Sequence, residues 1–227
     1  RAEHEIVVFI DGDVTLPPGT ISALEQALID DPSLVAVSAQ PVPQNAKRTG
    51  IDRLVVMPQN RPVPTGLCGG CYAVRAATLR GRLAECGHTC MPEDIIAEDR
   101  WLTEMIGEGR WRAVSEAPIL FAFPALRDLP AQMKRHMRAH LQLRQRFPGY
   151  SRSGGGISFP TSAALLREWR ARDGLGGFLR RLCTAIIVRA VHLYSRIAVL
   201  SIPRSTRYRH WDRTPSTKRT VALPEPV

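Results

Sequence analysis

The chain has 227 residues, 44% of them apolar, enough for one sizeable hydrophobic core, and this excludes disorder of the whole. Its formal net charge is +10, unevenly placed: residues 1–126 carry 11 Lys+Arg against 16 Asp+Glu, and residues 127–227 carry 20 against 5. The second part therefore suits an anionic partner, with nucleic acid, anionic lipid and a diphosphate all admissible, although a genome rich in arginine codons would give the same composition.

In chain order, Ile6-Val-Val-Phe-Ile10 is an apolar run that predicts a buried strand. Nothing ahead of it could pair with it, so an N-terminal portion is expected to be missing, and no signal-peptide pattern opens the chain. Pro17-Pro18-Gly19-Thr20 is turn chemistry leading into a helix, in which Ile21, Leu24 and Leu28 repeat at three and four residues until Asp31-Pro32 closes it. Leu34-Val-Ala-Val-Ser-Ala39 predicts a short strand, and the Pro-containing stretch from Gln40 to Gly50 a loop. Strand, helix and strand in this order indicate an α/β fold.

A helix is predicted over 98–106, with Leu102, Met105 and Ile106 turned inward, then a short strand over 111–115. Asp128 and Pro130 start a longer helix that Phe147-Pro148-Gly149 ends near Arg146. Ser151 to Gly156 reads as a flexible loop dividing a catalytic-type region, 1–150, from a basic helical region, 151–227.

Leu182 to Ile202 is a 21-residue, mostly apolar stretch, long enough to span a bilayer. Arg189, His192 and Arg196 argue against spanning, because charge at the bilayer centre is costly. Their spacing predicts one charged stripe opposite Ile186, Ile187, Val191, Leu193 and Ala198, as in a helix lying in a membrane interface with Arg180 and Arg181 facing anionic lipid. An ordinary core helix of a soluble domain is the alternative. The tail from Pro203 is expected to be poorly ordered.

Four motifs carry candidate chemistry. Phe9-Ile-Asp-Gly-Asp-Val14 puts Asp11 and Asp13 at the end of a strand, where open α/β sheets bind ligands. Carboxylates so close favour a cation, and hard oxygens suit Mg²⁺ or Mn²⁺, although a solvated Asp-Gly turn has the same sequence. Gly66-Leu-Cys-Gly-Gly-Cys-Tyr-Ala-Val-Arg75 is a glycine turn entering a strand, fit for close approach to a ligand or simply for a tight turn. In Ala97-Glu-Asp-Arg-Trp-Leu102, Glu98 and Asp99 open a helix, either as plain dipole partners or with Asp99 as a general base. Gln132 and Arg135 share a face of the later helix, where Arg could grip a diphosphate or simply be solvated.

An Asp-x-Asp after a strand, a Gly-Gly turn, a Glu-Asp pair opening a helix and then Gln-x-x-Arg resembles the layout of family 2 glycosyltransferases, over roughly residues 6–140. The resemblance implies the second half of a GT-A-like domain, a mixed sheet flanked by helices, acting as an inverting, metal-assisted hexosyltransferase. It implies that Asp13 holds the metal with Asp11 nearby on donor or metal, and that Asp99 takes the proton of the acceptor hydroxyl. By the same resemblance, Gly69, Gly70 and Glu98 border the acceptor, Gln132 and Arg135 help hold the donor phosphates or the acceptor end, the donor is a nucleotide-diphospho-sugar, and the acceptor is a saccharide or lipid-linked. The basic amphipathic C-terminal region is expected to rest on the cytoplasmic side of a membrane. Two departures stand out: His136 replaces the tryptophan that follows Gln-x-x-Arg in polymer-forming members, and Glu93-Asp94 rivals Glu98-Asp99 as source of the base. The family's first half, with its nucleotide-base contacts, has no counterpart, so the donor site reads as incomplete and inactivity of the chain alone is an expectation.

Cys68-x₂-Cys71 and Cys86-x₃-Cys90, with His88 inside the second pair, have spacings that a structural zinc could use. They support a rival reading as a zinc-stabilised basic module for nucleic acid, yet few aromatics accompany the arginines for base stacking. Buried, reduced cysteines are the alternative. A nucleotidyltransferase would also place acids at a strand end, but shows no phosphate-cradling glycine loop here.

Overall fold

A computed structural model describes residues 4–44, 66–122, 124–147 and 163–202. The chain forms β1 (Ile6–Ile10), β2 (Val14–Thr15), α1 (Thr20–Asp30), β3 (Ala36–Gln44), β4 (Cys71–Arg75), α2 (Ala76–Glu85), α3 (Glu98–Ile106), β5 (Trp111–Ala122), α4 (Leu129–Arg146) and α5 (Ala163–Leu200). The five strands make one mixed sheet in the order β1-β4-β3-β5-β2. β1, β3 and β5 run parallel to one another, with β4 antiparallel between the first two and β2 antiparallel on the outer side of β5.

Two apolar layers hold the sheet. On one face, Leu24 and Leu28 of α1 pack over Val37, Ala39, Cys71, Ala73 and Ile119. On the other, Trp101, Leu102, Met105 and Ile106 of α3 cover Ala36, Tyr72 and Val74. The period-two alternation of β4 divides its residues between these layers: Cys71 and Ala73 face α1, while Tyr72 and Val74 face α3. Arg75 ties the corner, since its guanidinium donates to the Leu34 and Leu28 carbonyls and to the Glu5 carboxylate.

Several elements differ from the sequence reading. β1 is half-buried and lies at one end of the described sheet, and its partner β4 comes from later in the chain. β3 runs five residues past Ala39 despite Pro41 and Pro43, and among the described residues β4 pairs only with Ala36–Ser38, so this part of β3 is paired on its β5 side alone. Proline is tolerated in such a partly unpaired strand, where one side makes no ladder among the described residues. A register shift at Ala39/Gln40 lets the strand continue along Pro118–Ala122 of β5, which is correspondingly longer than predicted. α2 was not anticipated: it buries only Ala76 and Leu83, too little for an apolar period to show. The predicted loop over 151–156, residues 45–50 of the predicted Gln40–Gly50 loop, and the tail from Pro203 lie outside the described residues.

α5 begins well before Leu182 and is broken at Gly174, where φ is 65°. Beyond the break it packs on α4: Val188 meets Leu129 with Ile187 and Val191 beside them, and Ser195 Oγ donates to the Pro130 carbonyl at 3.3 Å. The predicted division into a charged stripe and one opposite apolar stripe is corrected. Ile187 and Val191 turn toward α4, whereas Ile186 and Leu193 are exposed on the same side as Arg189 and Arg196.

Candidate functional site

The parallel strands β1, β3 and β5 set a carboxyl-terminal sheet edge, and the antiparallel β4 starts there. Asp11 follows β1 and Gly70 precedes β4, and the Asp11 N–H donates to the Gly70 carbonyl at 3.0 Å. The first turn of α3 closes over the same edge.

The segment Gly66–Gly70 is fastened by three successive N–H donors. Leu67 N–H donates to Thr103 Oγ1 at 2.9 Å, Cys68 N–H to Ser38 Oγ at 2.6 Å, and Gly69 N–H to Asp99 Oδ2 at 3.0 Å. Thr103 Oγ1 in turn donates to the Asp99 carbonyl at 2.7 Å, so the glycine turn and the first turn of α3 move as one piece. Glycine is needed here on contact grounds. A Cβ at Gly69 would sit 3.1 Å from Asp99 Oδ2, and one at Gly70 would lie 2.5 Å from Ile119 Cδ1 and 3.1 Å from Val14 Cγ1.

Asp99 is half-buried and its carboxyl is pushed above the ordinary aspartate value by burial, with the Asp11 charge adding to the rise. The N–H groups of Arg100 and Gly69 and the Arg100 guanidinium oppose that rise. Glu98 is raised as well, by burial first and by Asp99, while Arg135 on α4 pulls it back. The Tyr72 phenol feels Glu98, Asp99 and Asp11 together, and burial followed by these three charges holds it well above the usual tyrosine range. Its hydroxyl is buried without a hydrogen-bond partner among the described residues, and its ring stacks on Phe9 with centroids 4.8 Å apart.

The structure therefore brings Asp11, Gly69, Gly70, Glu98, Asp99 and Arg135 into one electrostatic neighbourhood. Asp13 sits half-buried in the turn after Asp11, which Val14 N–H closes onto the Asp11 carbonyl at 3.5 Å. Gln132 is half-buried three residues before Arg135, its backbone N–H given to the Asp128 carbonyl. His136 is exposed. The rival acid pair points elsewhere: Asp94 pairs with Arg146, and its carbonyl accepts from Gln142 Nε2 at 2.7 Å.

Sequence reasoning missed Tyr72. It stands two residues after Gly70 on the α3-facing side of β4, a placement that the strand alternation carries.

Among the described residues no three His, Cys, Asp or Glu side chains gather as a ready metal cage. The zinc reading is thereby corrected: Cys71 is sealed in the sheet with its thiol pushed up to about 11 by burial, Cys86 and Cys90 are exposed, and the His88 ring packs edge-on against Trp101. Asp11 and Asp13 present hard oxygen donors, which is the number and kind that Mg²⁺ or Mn²⁺ takes from protein when a diphosphate completes its shell.

No known family's sequence profile matches the chain. No curated protein matches it either. Among solved structures it is similar to a mannosyltransferase from Pyrobaculum calidifontis in complex with GDP-Man and Mn²⁺, at 17% identity and a TM-score of 0.41. The likeness covers 93% of this chain but 59% of that one, so the chain spans less than two thirds of the enzyme's length. At that TM-score it carries no argument about this chain's chemistry.

Proposed function

We propose that the protein is an inverting glycosyltransferase that moves a sugar from a nucleotide-diphosphate donor to an acceptor hydroxyl. The observation that carries this reading is the convergence of Asp11, Glu98 and Asp99 with the Gly69-Gly70 turn at the carboxyl-terminal sheet edge. The order of the motifs along the chain, which resembles family 2 glycosyltransferases, supports it.

In this reading Asp99 is the general base. Its raised pKa brings it closer to neutrality, where a base best matches the proton it must accept. The Gly69 N–H fixes Oδ2, so the carboxylate meets the acceptor in one orientation. As the acceptor oxygen attacks the anomeric carbon, its proton passes to Asp99. The bond from that carbon to the diphosphate breaks on the opposite side, the pair of electrons leaves with the diphosphate, and the configuration inverts. Asp11 and Asp13 would hold Mg²⁺ or Mn²⁺, which supplies charge neutralisation for the departing diphosphate. Arg135, and Gln132 one turn before it, line the approach on α4, with Arg135 suited to a phosphate oxygen. Glu98 and Gly70 border the acceptor, a saccharide or a lipid-linked sugar.

The test is release of nucleoside diphosphate from a panel of UDP-, GDP- and dTDP-sugars with Mn²⁺, followed by the anomeric configuration of the product. Metal-dependent release with an inverted product is expected. Retention of configuration would contradict the base role of Asp99, and transfer of a nucleotidyl group instead of a sugar would favour the nucleotidyltransferase reading.

A further inference from the structure

Past Gly174, α5 carries two apolar stripes, and α4 covers only one. Ala185, Val188, Ser195 and Val199 are buried. Leu175, Leu179, Ile186, Leu193, Ile197 and Leu200 are between 48% and 61% exposed. At 100° per residue these six fall within about 60° of one another, and they extend over about 38 Å of helix. Single exposed apolar side chains are ordinary, but a continuous row of this length is not. Within Gly174–Leu200 the most apolar window has a mean hydropathy of 1.5, apolar enough to cross a bilayer, and 22% of it is buried.

The charges beside the row decide what covers it. Arg189 and Arg196 are exposed along one flank, the exposed Tyr194 stands on the other, and no acidic residue occurs from Leu175 to Ile202. A second copy of the helix would bring arginines and no carboxylates to meet them. Lipid phosphates would neutralise them, and the tyrosine suits the headgroup depth. Because α4 holds the opposite side, only one face of the helix is open to lipid, which suits a helix lying along a membrane surface rather than spanning it.

We propose that the Leu175–Leu200 face of α5 is an anionic-membrane docking surface, with the six apolar side chains in the acyl boundary and Arg189 and Arg196 on lipid phosphates. The side chain of Arg181 lies outside the described residues. None of these residues belongs to the acidic site, so the proposal stands or fails independently of glycosyl transfer.

The test is flotation of the protein with vesicles of phosphatidylcholine, alone or mixed with phosphatidylglycerol, in the absence of any sugar donor. Binding to the mixed vesicles stronger by on the order of tenfold is expected, weakening as salt rises. Ile186→Ser with Leu193→Ser is expected to abolish flotation while leaving the melting temperature unchanged, since both side chains are exposed. Arg189→Gln with Arg196→Gln is expected to remove only the preference for anionic lipid. Flotation undiminished in the serine variant would overturn the proposal. So would a dimer in sedimentation that this variant breaks, which would make a second copy the occupant, and so would resistance to carbonate extraction, which would mean a spanning helix.

Discussion

Gly69 and Asp99, thirty residues apart, are joined by a 3.0 Å hydrogen bond from the glycine N–H to Oδ2 of the carboxylate. The bond couples a turn between strands to the first turn of α3, and it fixes a half-buried acid whose pKa is raised by burial and by a neighbouring carboxylate.

Gly69→Ala tests that coupling. Its Cβ would sit 3.1 Å from Oδ2 and 3.3 Å from Cγ of Asp99, so the carboxylate must give by a few tenths of an ångström. Turnover is expected to drop on the order of tenfold or more, as displaced catalytic groups do. Thermal unfolding measured beside turnover should show a stability loss of no more than about 1 kcal/mol.

Gly70→Ala should behave in the opposite way. Its Cβ would meet Ile119 Cδ1 at 2.5 Å inside the core, where Ile119 is 1% exposed and cannot swing away. A loss of about 1–3 kcal/mol is expected in urea denaturation. Adding Ile119→Val deletes the clashing methyl and should recover part of it.

Tyr72→Phe is expected to stabilise the ligand-free protein. The phenolic oxygen is buried without a partner among the described residues, and removing it keeps the stack on Phe9 while ending a desolvation cost of about 1–3 kcal/mol. A lower midpoint in chemical denaturation for this variant would mean that the hydroxyl is satisfied in solution.

Much of this architecture was legible in the sequence because local patterns and tertiary demands agree there. Leu24 and Leu28 of α1 and Leu102, Met105 and Ile106 of α3 are buried as their period predicts, although Ile21 is exposed, and Asp128 and Pro130 do mark the start of α4. Legibility failed where a neighbour decided the outcome. Pro41 and Pro43 read as loop because nothing local reveals that the pairing of β3 with β4 ends at Ser38 while β5 continues alongside. On α5 the helical period already sets Ile186 and Leu193 beside Arg189 and Arg196, against the predicted division, and only the presence of α4 tells which apolar row is covered. In the site, the acids were visible as pairs, but the lock between Gly69 and Asp99 spans thirty residues, and Tyr72 looked like one more apolar strand position.

Stability should fall as pH rises through the window between the ordinary aspartate value of 3.8 and the raised value of Asp99. In that window the folded state holds a proton that the unfolded chain has lost, so each step upward favours unfolding. Glu98 contributes with the same sign. Asp99→Asn should flatten this part of the profile, and a profile unchanged by the substitution would contradict the raised value. Turnover has the opposite dependence, because the base works only when ionised: its acid limb should lie above the ordinary aspartate range.

The most direct measurement of the central claim is turnover of Asp99→Asn beside its affinity for Mn²⁺ and nucleoside diphosphate. Asparagine keeps an oxygen for the Gly69 N–H but cannot take a proton. A loss of turnover of at least about a hundredfold with diphosphate affinity nearly unchanged is the predicted result. Turnover equal to that of the unsubstituted enzyme would remove Asp99 from the base role and with it the proposed mechanism.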